Sequence, residues 1–164
     1  MRKSLFYHSS TPDKIIGENT MKTATIALIT ALFISACSGV PQTIHLVERA
    51  TTDVVTDTGA TGDSVGDLLT FANQLYDAAN ENPVGTDNGY CLRTVVASTW
   101  ECNWTVTLEE GQITVEGPFY DAADSVLAII GGTGAYQNVR GEMQLKARNA
   151  EGTEFDFIYV LYRY

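Results

Sequence analysis

Glycine punctuation between short strand-like runs constrains this chain more than any other feature. Between Gly111 and Leu145, the runs Gln112–Glu116, Val126–Ile130 and Arg140–Leu145 are separated by glycine-containing turns. Gln112–Glu116 alternates, with Ile113 and Val115 on one face, and Arg140–Leu145 alternates again. Val126–Ile130 is apolar throughout, which predicts a strand covered on both faces. Gly131, Gly132 and Gly134 predict a tight turn with positive φ or close backbone approach. A helix needs a longer apolar period than any of these runs offers, so the pattern points to an all-β meander.

The remaining runs extend it. Ile44–Ala50 places Ile44, Leu46 and Glu48 on one face. Thr51–Gly66, rich in Thr, Asp and Gly, predicts a long surface loop, with Val54-Val55 as a short strand extension within it. Asp67–Tyr76 places Leu69, Phe71, Asn73 and Leu75 on one face, although Thr70–Ala79 would also accept a helix. Asp77–Asn88, with Pro83-Val84-Gly85, predicts a loop. Gly89–Val96 and Trp100–Leu108 follow, the second alternating most cleanly: Trp100, Cys102, Trp104, Val106 and Leu108 share a face. Val139–Ala147 and Phe155–Tyr162 complete eight strands joined largely by hairpins. Closure into an antiparallel up-and-down barrel removes exposed edges, and eight strands leave an interior for side chains or one small ligand.

The first 43 residues lie outside this pattern. Residues 1–20 are polar and aperiodic, and precede a segment with its own methionine; they are set aside as a mis-called or disordered extension. Met21–Ala36 has the form of a secretory signal, with Lys22 before an uncharged apolar run too short to span a membrane. It ends Ile34-Ser35-Ala36-Cys37, which resembles a bacterial lipobox, so Cys37 is the expected lipidation site; a plain cleaved signal is the alternative. Residues 37–43 form a tether to a barrel spanning residues 44–164. The expected location is the bacterial cell envelope, lipid-anchored at the outer membrane, with secretion as the other outcome.

The net charge is −10, and six basic residues face eighteen acidic ones from Cys37 onward. Phosphate recognition needs a basic face, so nucleic acid is not an expected partner, and membrane contact is expected only through the lipid. There is no metal-ligand spacing, and no metal or cofactor is expected. Gly131-Gly132-Thr133-Gly134 superficially matches a phosphate loop, but no lysine follows. In an oxidising compartment Cys91 and Cys102 are free to form a disulfide. Directly opposed cysteines would put Arg93 opposite Trp100 and leave Val96-Ala97 as a poor two-residue turn, so a slipped register with the turn nearer Ala97-Ser98-Thr99 is also open. Glu48, Asn73 and Cys91 are the polar residues set among apolar strand neighbours. For Glu48 an exposed strand face and an inward, functional position are both open.

Five stretches together resemble allene oxide cyclase and the wider allene oxide cyclase-like and dirigent-like barrels. They are Gly66–Tyr76, Gly89-Tyr90-Cys91, Ile113–Phe119, Gly131–Tyr136 and Gly141. The resemblance implies an eight-stranded barrel, often trimeric, with an apolar pocket and no cofactor. It further implies a cyclase or isomerase acting on a hydrophobic, lipid-derived molecule, with a non-catalytic hydrophobic-ligand-binding or dirigent-like barrel as the alternative. In the cyclase a carboxylate stabilises positive charge as an epoxide opens, and a bound water holds the substrate oxygen. By motif position Glu48 matches the carboxylate and Asn73 the water-holding asparagine. Phe71, Cys91 and Phe119 match pocket positions, with Leu69 beside them. A second asparagine of that motif falls at Ala50.

Overall fold

Inward side chains at every second position build the interior of this molecule. The computed structural model describes residues 40–163. The extension 1–20, the signal segment and Cys37 fall outside them. Nine strands form one antiparallel sheet: β1 (Gln42–Arg49), β2 (Val54–Thr56), β3 (Leu68–Tyr76), β4 (Pro83–Val95), β5 (Thr99–Leu108), β6 (Gly111–Tyr120), β7 (Ser125–Gly132), β8 (Val139–Ala147) and β9 (Glu154–Arg163). From β3 to β9 each strand pairs with the next. β1 lies against β9 and returns to β3, closing an eight-stranded up-and-down barrel. β2 stands apart from this circuit. It pairs with the Leu68–Thr70 part of the β3 edge, while β1 pairs with Gln74–Tyr76, so two short strands share one edge.

Three segments depart from the sequence reading. The first strand begins at Gln42 instead of Ile44, which shortens the expected tether. The expected loop Asp77–Asn88 is strand from Pro83 onward, because β3 and β5 both run long enough to pair with it: Asn73 lies opposite Asp87, and Asp87 opposite Val106. Gly89 keeps this strand close to β5, since a Cβ there would collide with the Cβ of Trp104. Val126–Ile130 is covered on one face only. Leu127 and Ile129 are buried, whereas Val126 and Ile130 remain about half exposed on the outer wall. Composition cannot distinguish a doubly covered strand from one with an apolar outer face.

Cys91 and Cys102 are disulfide-bonded and directly opposed, and Arg93 faces Trp100. The register does not slip over this stretch. A bulge between Arg93 and Val95 instead lengthens the connection, and Ala97 takes φ +53° to turn it. Linking residues 11 apart restricts the unfolded chain and contributes about 3 kcal/mol by loop-closure entropy.

The barrel is plugged at one end. Leu75, Val106, Ile113, Val139 and Leu161 are fully or almost fully buried there. A 3-10 turn, Gly134–Tyr136, drives the Tyr136 ring into the same end, entered through Gly134 at φ +59°. The Gly131–Gly134 run is therefore a strand end and turn, not an anion cradle. The other end stays open.

Candidate active site

Strand alternation turns an aromatic set toward the open end: Phe71 from β3, Trp104 from β5, Phe119 from β6, and Phe155 and Phe157 from β9. Phe71 meets Trp104 edge-on at 5.9 Å, Trp104 lies 5.6 Å from Phe157, and Phe119 meets Phe155 edge-on at 6.1 Å. Between them lies a pocket with about 370 Å³ of empty space counting its mouth, of which only about 40 Å³ admits the centre of a water molecule. It is a narrow slot. Leu69, Leu145 and the Cys91–Cys102 bridge complete its apolar walls, and Glu48 and Asp53 are its carboxyl groups. Past Phe119, Leu145 and Phe155 the slot opens into a wider vestibule between residues 121–124 and 149–152.

Glu48 is 6% exposed, so its inward position is the one the chain adopts. Asn73 sits directly behind it, 1% exposed, with its amide fully engaged. Nδ2 donates to Glu48 Oε1 and to Asp53 Oδ1, both at 2.8 Å. Oδ1 accepts from the backbone N–H groups of Thr51 and Thr52 at 3.0 Å and from Thr52 Oγ1 at 2.9 Å. Thr52 Oγ1 in turn accepts from Ala72 N at 2.8 Å. The interval between β1 and β2, where β3 has no strand partner, is thus stitched by side chains. One asparagine fixes the position of two carboxyls and of the crossing segment.

Asp87 is the site residue that sequence reasoning missed. Its strand position points it inward beside Asn73, 1% exposed, and neither carboxyl oxygen has a protein hydrogen-bond partner. Burial pushes Asp87 up to about 7. Burial, reinforced by the charges of Asp87 and Asp53 and opposed by the Asn73 hydrogen bond, raises Glu48 well above the usual carboxylate range. Two adjacent carboxyls in a dry interior cannot both ionise at low cost, so at neutral pH the pair retains a proton. Trp104 Nε1 and Tyr159 Oη are also buried without a partner. The inward faces of β5 and β9 are visible as alternation, but nothing marks Asp87, which falls within the expected loop Asp77–Asn88.

Of the residues singled out from sequence, Glu48, Leu69, Phe71, Cys91 and Phe119 line one pocket, and Asn73 lies just behind it. At the mouth end, Arg93 is buried over the Trp100 ring at 3.9 Å and pairs with Asp63 and Asp121 at 2.6 and 2.7 Å. This clamp fastens the long loop after β2 to the barrel rim.

A small closed barrel with one aromatic slot and inward carboxyls defines a small-molecule-binding barrel. The chain belongs to the allene oxide cyclase barrel-like family, whose domain it matches over residues 47–158. Members of this barrel family bind small-molecule substrates or ligands. Among solved structures it is similar to a pyocyanin demethylase at 29% identity, covering 73% of this chain and 99% of that one with a TM-score of 0.65. It shares its fold with a pterocarpan synthase dirigent protein (16% identity, 76% and 96% covered, TM-score 0.64). It also shares it with AbnU, an exo-specific intermolecular Diels-Alderase (15% identity, 75% and 98% covered, TM-score 0.59).

Proposed function

We propose that the protein is an isomerase or cyclase that rearranges an apolar, lipid-derived small molecule within the aromatic slot. The observation that carries this reading is Glu48, a buried carboxyl that reaches the slot, held by Asn73 and raised in pKa by its surroundings. A carboxyl kept protonated can pass its proton to a substrate oxygen and then face the developing cation as a carboxylate. When the ring has closed, the cation loses a proton back to Glu48, and the overall reaction is an isomerisation. The aromatic walls fold the apolar chain and keep water out, which favours the intramolecular path. Asn73, with every hydrogen bond already used, acts as a positioning residue for Glu48 instead of holding a water.

Product analysis on a panel of uncharged epoxides and polyenes tests this. Wild-type protein should give one enantiomer of a cyclised product in excess, and Glu48→Gln should lower the rate about 100-fold or more. Equal turnover by the variant would remove Glu48 from the mechanism. Bound ligand without turnover would identify a carrier or dirigent-like barrel.

We further propose that lipid on Cys37 holds the barrel at the bacterial cell envelope, the reading supported by Ser35-Ala36-Cys37. Intact-mass analysis should show an acylated cysteine as the new N-terminus, and Cys37→Ala should move the protein out of the membrane fraction. An unmodified wild-type cysteine would refute the anchor.

A further inference from the structure

The slot's two carboxyls, buried Glu48 and exposed Asp53, have no counter-ion, nor has the buried Asp87 beside Asn73. Among the described residues, no lysine, arginine or histidine lies within salt-bridge distance of Glu48, Asp53 or Asp87. Nor does a basic side chain line either the slot or the vestibule. Of the cations flanking the vestibule, Arg93 is shared between Asp63 and Asp121 and Arg148 pairs with Asp156 at 2.6 Å, while Lys146 is half exposed, 3.9 Å from Asp124. Asn73 gives both its N–H groups to protein carboxyls. A ligand carboxylate entering here would lose its hydration, find no cation in the slot and meet protein carboxyls instead.

The same surroundings suit the opposite charge. Aromatic faces attract organic cations through their quadrupoles, and a cation is the missing partner that would let Glu48 ionise. We propose that the slot selects ligands whose buried end is a cationic nitrogen on a flat apolar body, and rejects ligands whose buried end is a carboxylate. This rests on the reading of the slot as a substrate site. A stable ammonium group would occupy the place where positive charge develops during the rearrangement, so amines of this kind should also inhibit it. A free fatty acid could then enter only tail first, with its carboxylate left in water at the open end.

Titration calorimetry of the purified protein at pH 8 with 2-naphthylmethylamine, 2-naphthalenemethanol and 2-naphthoate tests the proposal. These probes share one flat body and differ in the charge of one group. The amine should bind at least tenfold more tightly than the alcohol, and the acid should bind more weakly than both. Glu48→Gln and Asp53→Asn should each narrow the gap between amine and alcohol. Equal binding of amine and alcohol, or tighter binding of the acid, would overturn the charge preference and leave the slot a ligand site. Binding of none of the three would overturn both readings together.

Discussion

At pH 8 Asp87→Asn should melt roughly 10 °C above the wild type, and at pH 4 the two should melt together. Asp87 titrates near 7 in the folded protein and near 3.8 in the unfolded chain, and Glu48 is displaced in the same direction. Between these values the folded state holds protons that the unfolded state has released. Stability therefore falls as pH rises from about 4 to about 7, then stays low. A displacement of this size corresponds to about 2–4 kcal/mol once relaxation of the coupled pair is allowed for. Each kcal/mol moves the melting point of a domain this size by about 3–5 °C. An amide is neutral at every pH and removes the penalty. Thermal melts of both proteins from pH 4 to 9 decide the matter. Parallel curves would mean that the interior pair is hydrated and unshifted.

Asn73→Ala should cost about 3 kcal/mol or more in urea unfolding, against about 1 kcal/mol for an ordinary substitution. It removes the acceptor of three hydrogen bonds from Thr51 and Thr52 and the two donors to Glu48 and Asp53. Asn73→Asp separates the two halves of that role. It keeps the acceptor for the threonines but sets another carboxyl against Glu48 and Asp53. The aspartate variant should approach wild-type stability at pH 5 and fall well below it at pH 8. Equal losses at both pH values would show that the amide supports only the crossing segment and not the carboxyls.

How far the sequence carried can be judged from particular residues. Trp100 to Leu108 was readable because β5 has one buried and one polar face, so alternation reports burial directly. Glu48 was readable only as an open choice, because an isolated strand does not reveal which face turns inward once a polar residue interrupts the apolar one. Asp87 was hidden. Pro83 to Asn88 is built of turn residues, and becomes strand only because β3 and β5 offer ladder partners on both sides. The Arg93 clamp was hidden for a related reason. Asp63 and Asp121 lie far away in sequence and meet the guanidinium only after closure. Contacts whose cause is the closed barrel cannot be seen in a local window.

The shared edge of β3 also has a dynamic consequence. Where β1 ends and β2 has not begun, the wall is held by Thr52 and Asn73 side chains instead of a main-chain ladder. Such a seam can part without unzipping either flanking strand pair. The amides of Thr51, Thr52 and Ala72 should then exchange with deuterium together, at one common rate well above that of the β5–β6 ladder. Since Asn73 holds both that seam and Glu48, each opening would briefly release the carboxyl from its anchor and connect the slot to water through the side of the barrel. Hydration of the acid pair would thus be set by the breathing of four residues in the wall, independently of traffic through the open end.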